Sequence, residues 1–201
     1  MSYEHDIFLS YARGSWTDYV RHKFLPRLEA LLEAEVGSLN ISVDYQIQPG
    51  AEWEPNFKRR VARSRIMMSL LTAHYFQRDW CRREMALMME RERYLGLEGR
   101  GENYGLLIPV RLGGGSTFPE RVGQVQWHDF EEFADPDLPA GSERASKANS
   151  SLRKLAQAVG RTLLNVRDWR IAWQDFSGDD FFLRLCPKTP VPRPEPPRLL
   201  V

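Results

Sequence analysis

Cysteine is scarce in this 201-residue chain: Cys81 and Cys186 are the two present, far apart and outside any Cys-x-x-Cys or Cys/His ligand spacing. That argues against a disulfide framework and a zinc site, and it fits a reducing compartment, so a cytoplasmic location is expected. Net charge is nearly absent as well. The 28 Lys and Arg residues against 27 Asp and Glu leave a formal +1, too little for a global field that would collect polyanions or anionic lipid. Neither direct nucleic-acid binding nor membrane binding is expected. No apolar run approaches the roughly 18 residues of a membrane span. The start, Met-Ser-Tyr-Glu-His-Asp, has no basic segment leading into an apolar one, so the mature chain is expected to begin near Met1. There is no internal repeat. The four histidines, His5, His22, His74 and His128, show no pairing with Ser10 or Cys81 that would mark a nucleophile and its base. Gly113-Gly114-Gly115 lacks a following Lys-Ser or Lys-Thr and reads as a turn, not a phosphate loop.

What is present alternates. Asp6–Tyr11 is a short apolar run of the kind buried on both faces of a parallel sheet, and is the expected first, central strand. A helix follows from about Trp16 to Val36, with Pro26 an awkward interior residue that should kink it or mark a restart. Leu39–Tyr45 alternates as a second strand, and Pro49-Gly50 predicts a tight turn in the loop after it. Pro55 suits the first turn of a helix reaching Arg63. Arg65–Leu71 reads as the third strand and Ala73–Tyr94 as a long helix. Tyr104–Arg111 and Gln124–Asp129 read as the fourth and fifth strands, and Ser150–Val166 as a closing helix. Strands alternating with helices predict an α/β fold with a parallel sheet and helices on both faces. Six of the eleven residues from Pro187 to Pro197 are proline, which predicts an extended tail or linker. The expected division is a domain over 1–168, an aromatic C-terminal extension over 169–186 that can pack back onto it, and the proline-rich piece over 187–201.

Chemistry concentrates on the long helix, in Asp79-Trp80-Cys81-Arg82-Arg83-Glu84-Met85. Trp80 and Glu84 are one turn apart and share a face, so an aromatic plate and a carboxylate look into one space, with Cys81, Met85 and Met88 on a more apolar side. The plain alternative for Glu84 is a solvated helix-surface charge. Cys81 reads as a packed small hydrophobe. Lys58-Arg59-Arg60 and Arg82-Arg83 have acids nearby and read as solvated helix faces.

Taken together, Phe8-Leu9-Ser10-Tyr11, Asp44 through Pro49-Gly50-Ala51-Glu52-Trp53, Ser64-Arg65 and Trp80-Cys81-x-x-Glu84, in that order on those elements, resemble the Toll/interleukin-1 receptor (TIR) domain. The likeness spans roughly Tyr3 to Val166. It implies a flavodoxin-like doubly wound five-stranded parallel sheet with helices on both faces, and it makes the Pro49-Gly50 loop the family's BB loop. It also implies two functional classes. Some TIR domains are adaptors or virulence modules that only bind other TIR domains. Others, the bacterial NAD-cleaving type among them, are NAD glycohydrolases and ADP-ribosyl cyclases, in which the essential glutamate sits one turn after a tryptophan. Glu84 matches that position, so the resemblance makes it the catalytic residue and NAD a substrate, with no separate cofactor and no metal.

The candidate substrate-binding residues are Trp80, Ser10, Tyr11, Arg13, Asp44 and Trp53. Trp80 either stacks on a substrate ring or anchors its helix. Ser10 and Tyr11 either bind substrate or support the sheet end. Arg13 either meets the pyrophosphate or is an exposed loop arginine. Asp44 and Trp53 either close over substrate or serve as a loop cap and a hydrophobic staple. The family likeness further implies self-association through TIR–TIR contacts, a fused or partner sensor domain beyond the proline-rich end, and a role in immune, anti-phage defence signalling. A flavodoxin proper would share the fold, but no phosphate-binding loop follows the first strand.

Overall fold

The computed structural model describes residues 2–43, 53–97, 105–123 and 126–186. Strand β1, His5–Tyr11, is followed by one helical turn, α1, Thr17–Tyr19, a π-helical segment, Val20–Phe24, and helix α2, Leu25–Val36. Pro26 therefore marks a restart. The Leu25 amide bonds the Val20 carbonyl five residues back, and this wider turn delivers Pro26 into the first turn of α2, where its missing N–H is not needed. Next come β2, Ile41–Val43, α3, Trp53–Ala62, and β3, Ser64–Leu71. Then follow a 3₁₀ turn, Tyr75–Gln77, α4, Asp79–Tyr94, and β4, Leu107–Arg111. The chain continues through the short α5, Glu120–Gly123, to β5, His128–Asp129, and α6, Glu143–Asn165.

The five strands lie in the order β2-β1-β3-β4-β5 and every pairing is parallel. This is the doubly wound, flavodoxin-like arrangement the sequence predicts. β1 and β3 are the interior strands with the longest pairing, and both are buried almost end to end, as strands covered on two faces must be. Helix α2 packs with α6, and α3 with α4. No helix among the described residues is long and apolar enough to cross a membrane.

Three expected boundaries are corrected. The long helix begins at Asp79, not Ala73, because the chain turns first through Tyr75–Gln77 and Arg78 is extended. Thr72 fixes that turn: its Oγ1 accepts the Tyr75 amide at 3.2 Å, and the Tyr75 ring goes fully into the core. The closing helix begins at Glu143, not Ser150. Ser142 caps it, its hydroxyl accepting the Ala145 amide at 3.1 Å. Residues 143–150 bury Ala148 alone, so they carry no apolar periodicity. β5 is His128–Asp129, a short edge strand, with Gln126 and Trp127 of the expected Gln124–Asp129 outside it. Gly113–Gly115 is the turn the sequence suggests, with Gly114 at φ 75°, where a Cβ would come within 2.8 Å of the Ala73 amide nitrogen.

Beyond α6 the chain packs back along α4. A 3₁₀ segment, Ile171–Asp175, a helical turn, α7, Asp179–Phe182, and a second 3₁₀ turn, Leu183–Leu185, bury Trp173, Phe181 and Leu185. At the centre of this contact Arg91 is 2% exposed. Its guanidinium donates to the Ser64 carbonyl at 2.6 Å, the Arg65 carbonyl at 3.1 Å and the Tyr3 hydroxyl at 2.7 Å, and it lies 3.9 Å from the Trp173 ring centroid. Burial lowers its pKa to about 10, so it is still a cation at neutral pH.

Candidate active site

The site begins with a register. In the β1–β3 pair Ser10 lies opposite Ser69, each next to the apolar run of its strand, Ile7–Leu9 on β1 and Ile66–Met68 on β3, and both are fully buried. Here the strand order reverses, with β2 on one side of β1 and β3 on the other, which is where doubly wound sheets hold their ligands. The turn after β3 then brings Tyr75 over both serines. Its hydroxyl is 2.8 Å from Ser10 Oγ, 3.3 Å from Ser69 Oγ and 3.1 Å from the Cys81 carbonyl.

Helix α4 supplies the carboxylate. Glu84 is 1% exposed, and Ser10 Oγ donates to its Oε2 at 2.5 Å, the short length of a charge-assisted O–H···O bond. Glu84 is therefore not a solvated surface charge. It is directed inward together with Cys81, Met85 and Met88, all buried. The half-buried Trp80 ring lies 4.2 Å, centroid to centroid, from Phe57 on α3, the contact of a helix anchor. Burial, then the charges of Cys81 and Glu84, push the Tyr75 hydroxyl well above its ordinary range, so it is a proton donor at every working pH.

The remaining candidates divide. Tyr11, buried, follows Ser10 on β1 and by strand alternation faces the other side of the sheet. Arg13 is exposed in the loop beyond. Asp44 and the Pro49-Gly50 turn lie outside the described residues, as does the Trp53 side chain. Tyr75 and Ser69 are the two members of the cluster that the sequence reading did not single out. The signal for Ser69 was a lone hydroxyl in Met67-Met68-Ser69-Leu70, matching Ser10 in Phe8-Leu9-Ser10-Tyr11. A shallow depression lined by Val61, Leu87, Arg91, Trp173 and Phe176 lies elsewhere, and Glu84 does not line it. Among the described residues no group of three or more His, Cys, Asp or Glu is placed to hold a metal ion.

Residues 7–143, more than half of the chain, match the family model of the TIR domain. The chain belongs to the TIR domain family. Solved structures similar to it include the TIR domains of the activated Roq1 resistosome directly recognizing the pathogen effector XopQ. They share 17% identity at a TM-score of 0.39, over 76% of this chain and 83% of that one. Another is the TIR domain of the Toll-related receptor TRR-2 from the lower metazoan Hydra magnipapillata. It shares 15% identity at a TM-score of 0.44, over 63% and 84% of the two chains. No curated protein matches. In this TIR domain the segment after α6, beyond the matched residues, packs along the helix that carries Glu84. Arg82 and Arg83, expected as a solvated face, instead place their guanidiniums 4.5 and 4.6 Å from the Phe182 ring centroid. Arg82 also pairs with Asp79 and lies 2.9 Å from Cys186 Sγ.

Proposed function

We propose that this TIR domain cleaves the nicotinamide–ribose bond of NAD, with Glu84 as the catalytic carboxylate. One observation carries the reading: a carboxylate is held inside the sheet end at the strand-order switch, by a serine hydroxyl that donates to it. Nicotinamide in NAD is a cationic leaving group. When the ribosyl C1′–N bond breaks, the electron pair goes to the ring nitrogen and nicotinamide departs neutral, so no general acid is required and one carboxylate suffices. Positive charge develops on the ribose, and Glu84 stabilises it while accepting hydrogen bonds from the ribose hydroxyls. Water then adds its oxygen to C1′ and releases a proton, giving ADP-ribose; attack by a group of the same molecule gives a cyclic isomer. Both outcomes fit a role in triggered defence, one draining a metabolite every cell needs and the other making a nucleotide signal.

At 1% exposure Glu84 is covered within its own chain. Turnover on this reading follows a rearrangement that admits substrate, and self-association through TIR–TIR contacts drives it. The same burial favours a second reading, an adaptor in which Glu84 and Ser10 merely tie α4 to β1. Hydrolysis of the fluorogenic etheno analogue of NAD across a protein concentration series separates the two. The enzyme reading predicts a rate per molecule that rises with concentration, and a loss of at least about 100-fold in Glu84→Ala. No turnover at any concentration would give the adaptor reading the lead.

A further inference from the structure

We infer that Tyr75 is a positioning residue for Glu84, acting through Ser10; the inference rests on the proposed NAD cleavage for its kinetic consequence and on hydrogen-bond geometry for its existence. A serine hydroxyl has one proton to give. Ser10 spends that proton on Glu84 Oε2, at 2.5 Å. Its 2.8 Å contact with Tyr75 therefore requires the tyrosine to donate and Ser10 Oγ to accept. Tyr75 has in turn one proton, and Ser10 Oγ is the nearest of its three partners, ahead of the Cys81 carbonyl at 3.1 Å and Ser69 Oγ at 3.3 Å. The two hydroxyls thus point one way, Tyr75 to Ser10 to Glu84, and the first bond polarises the second toward the carboxylate.

This chain sets the direction of the Ser10 proton and fixes one Glu84 oxygen, and a donated hydrogen bond favours the ionised form of a carboxylate, the form that stabilisation of a developing cation demands. The tyrosine ring has a separate, packing role, 5.2 Å from Phe76, which in turn meets Phe118 at 5.0 Å. Tyr75→Phe keeps that packing and removes the hydroxyl alone.

For NAD cleavage, Tyr75→Phe is expected to lower kcat about tenfold with KM within about twofold, the effect of losing one well-placed hydrogen bond in the transition state. Ser10→Ala is expected to lower kcat at least as far, and the double variant no further than Ser10→Ala, because the tyrosine acts through that serine. A wild-type kcat in Tyr75→Phe, or losses that multiply in the double variant, would overturn the inference. The geometry is tested apart from turnover by carbon-13 NMR of glutamate-labelled protein, with the Glu84 signal assigned by its loss in Glu84→Gln. Its titration midpoint is expected to move to higher pH in Tyr75→Phe, and a midpoint that stays in place contradicts the chain of donors. If the wild type releases no nicotinamide while the midpoint moves, the NAD reading fails and the positioning chain stands. Should Tyr75→Phe not fold, 3-fluorotyrosine at position 75, a stronger donor of nearly the same shape, gives the titration test in the opposite sense: the midpoint is expected to move to lower pH, and an unmoved midpoint contradicts the inference.

Discussion

Trp80 and His128 are residues whose contacts make their substitution readable. The Trp80 ring against Phe57 is a direct aromatic link between α3 and α4. Trp80→Ala is expected to lower unfolding stability by about 2 kcal/mol in urea titration, less than a fully buried aromatic would lose because the ring is half-exposed. Trp80→Phe should recover much of that loss; a silent alanine variant would mean the contact contributes nothing. His128 lies beneath α6 with Nε2 2.8 Å from Ser151 Oγ, and burial lowers its pKa below the ordinary histidine value, as it does for His5. The unfolded chain therefore binds these protons first as pH falls. Stability is expected to be level above about pH 6.5 and to decline as pH drops from there through the lower folded-state values. His128→Asn should flatten part of that decline in urea midpoints measured from pH 7.5 to 5. An unchanged slope would assign the decline elsewhere. Asp129, whose carboxyl is held low by its hydrogen bond from Arg111, contributes only at more acidic pH.

Helix α4 is the element on which everything converges. Its inner side brings Glu84 to β1, while its outer side receives the segment after α6. Gly178 sits there at φ 72°, where an added Cβ would be 2.9 Å from the Leu87 amide nitrogen and 3.0 Å from the Ala86 carbonyl carbon. Its own amide donates to Glu90 at 2.6 Å, and Arg93 pairs with Asp180 at 3.0 Å. Gly178→Ala is therefore strained twice, by conformation and by backbone contact, and is expected to destabilise by about 2 kcal/mol and to expose residues 169–186 to limited proteolysis. Protection equal to wild type would show that the close approach is not required. The sequence made α4 legible through its apolar periodicity, yet not its start, because an i, i+4 pattern does not reveal a preceding 3₁₀ turn. It placed Glu84 on the right element but not in the core: periodicity assigns a carboxylate to the polar side, and a hydroxyl donated from β1 helps make its burial tolerable. Tyr75 escaped for a related reason: Ser69 and Cys81 lie six residues away on either side, but Ser10, the partner that joins it to Glu84, is 65 residues away.

For the whole molecule, the alternation of strands and helices was enough to predict a parallel, doubly wound sheet, and four separated motifs were enough to suggest the family. The aromatic residues after Asp168 gave composition without partners, and their seat on α4 emerged only with Arg91 and Gly178 in place. The cation stacked on Trp173 couples that segment to the sheet through the Ser64 and Arg65 carbonyls, so the segment should unfold with the rest. Denaturation followed by tryptophan fluorescence, which reports Trp169 and Trp173 among others, is expected to coincide with far-ultraviolet circular dichroism in a single transition. An early fluorescence phase would instead mark an independently detaching segment. The central claim concerns Glu84, and it is tested most directly by a proton NMR time course of NAD with concentrated protein, wild type beside Glu84→Gln. The account predicts that free nicotinamide grows with the wild type and not with the variant, while the second product distinguishes hydrolysis from cyclisation. Equal release by both proteins, or none by the wild type even when it is clustered on beads, would contradict it.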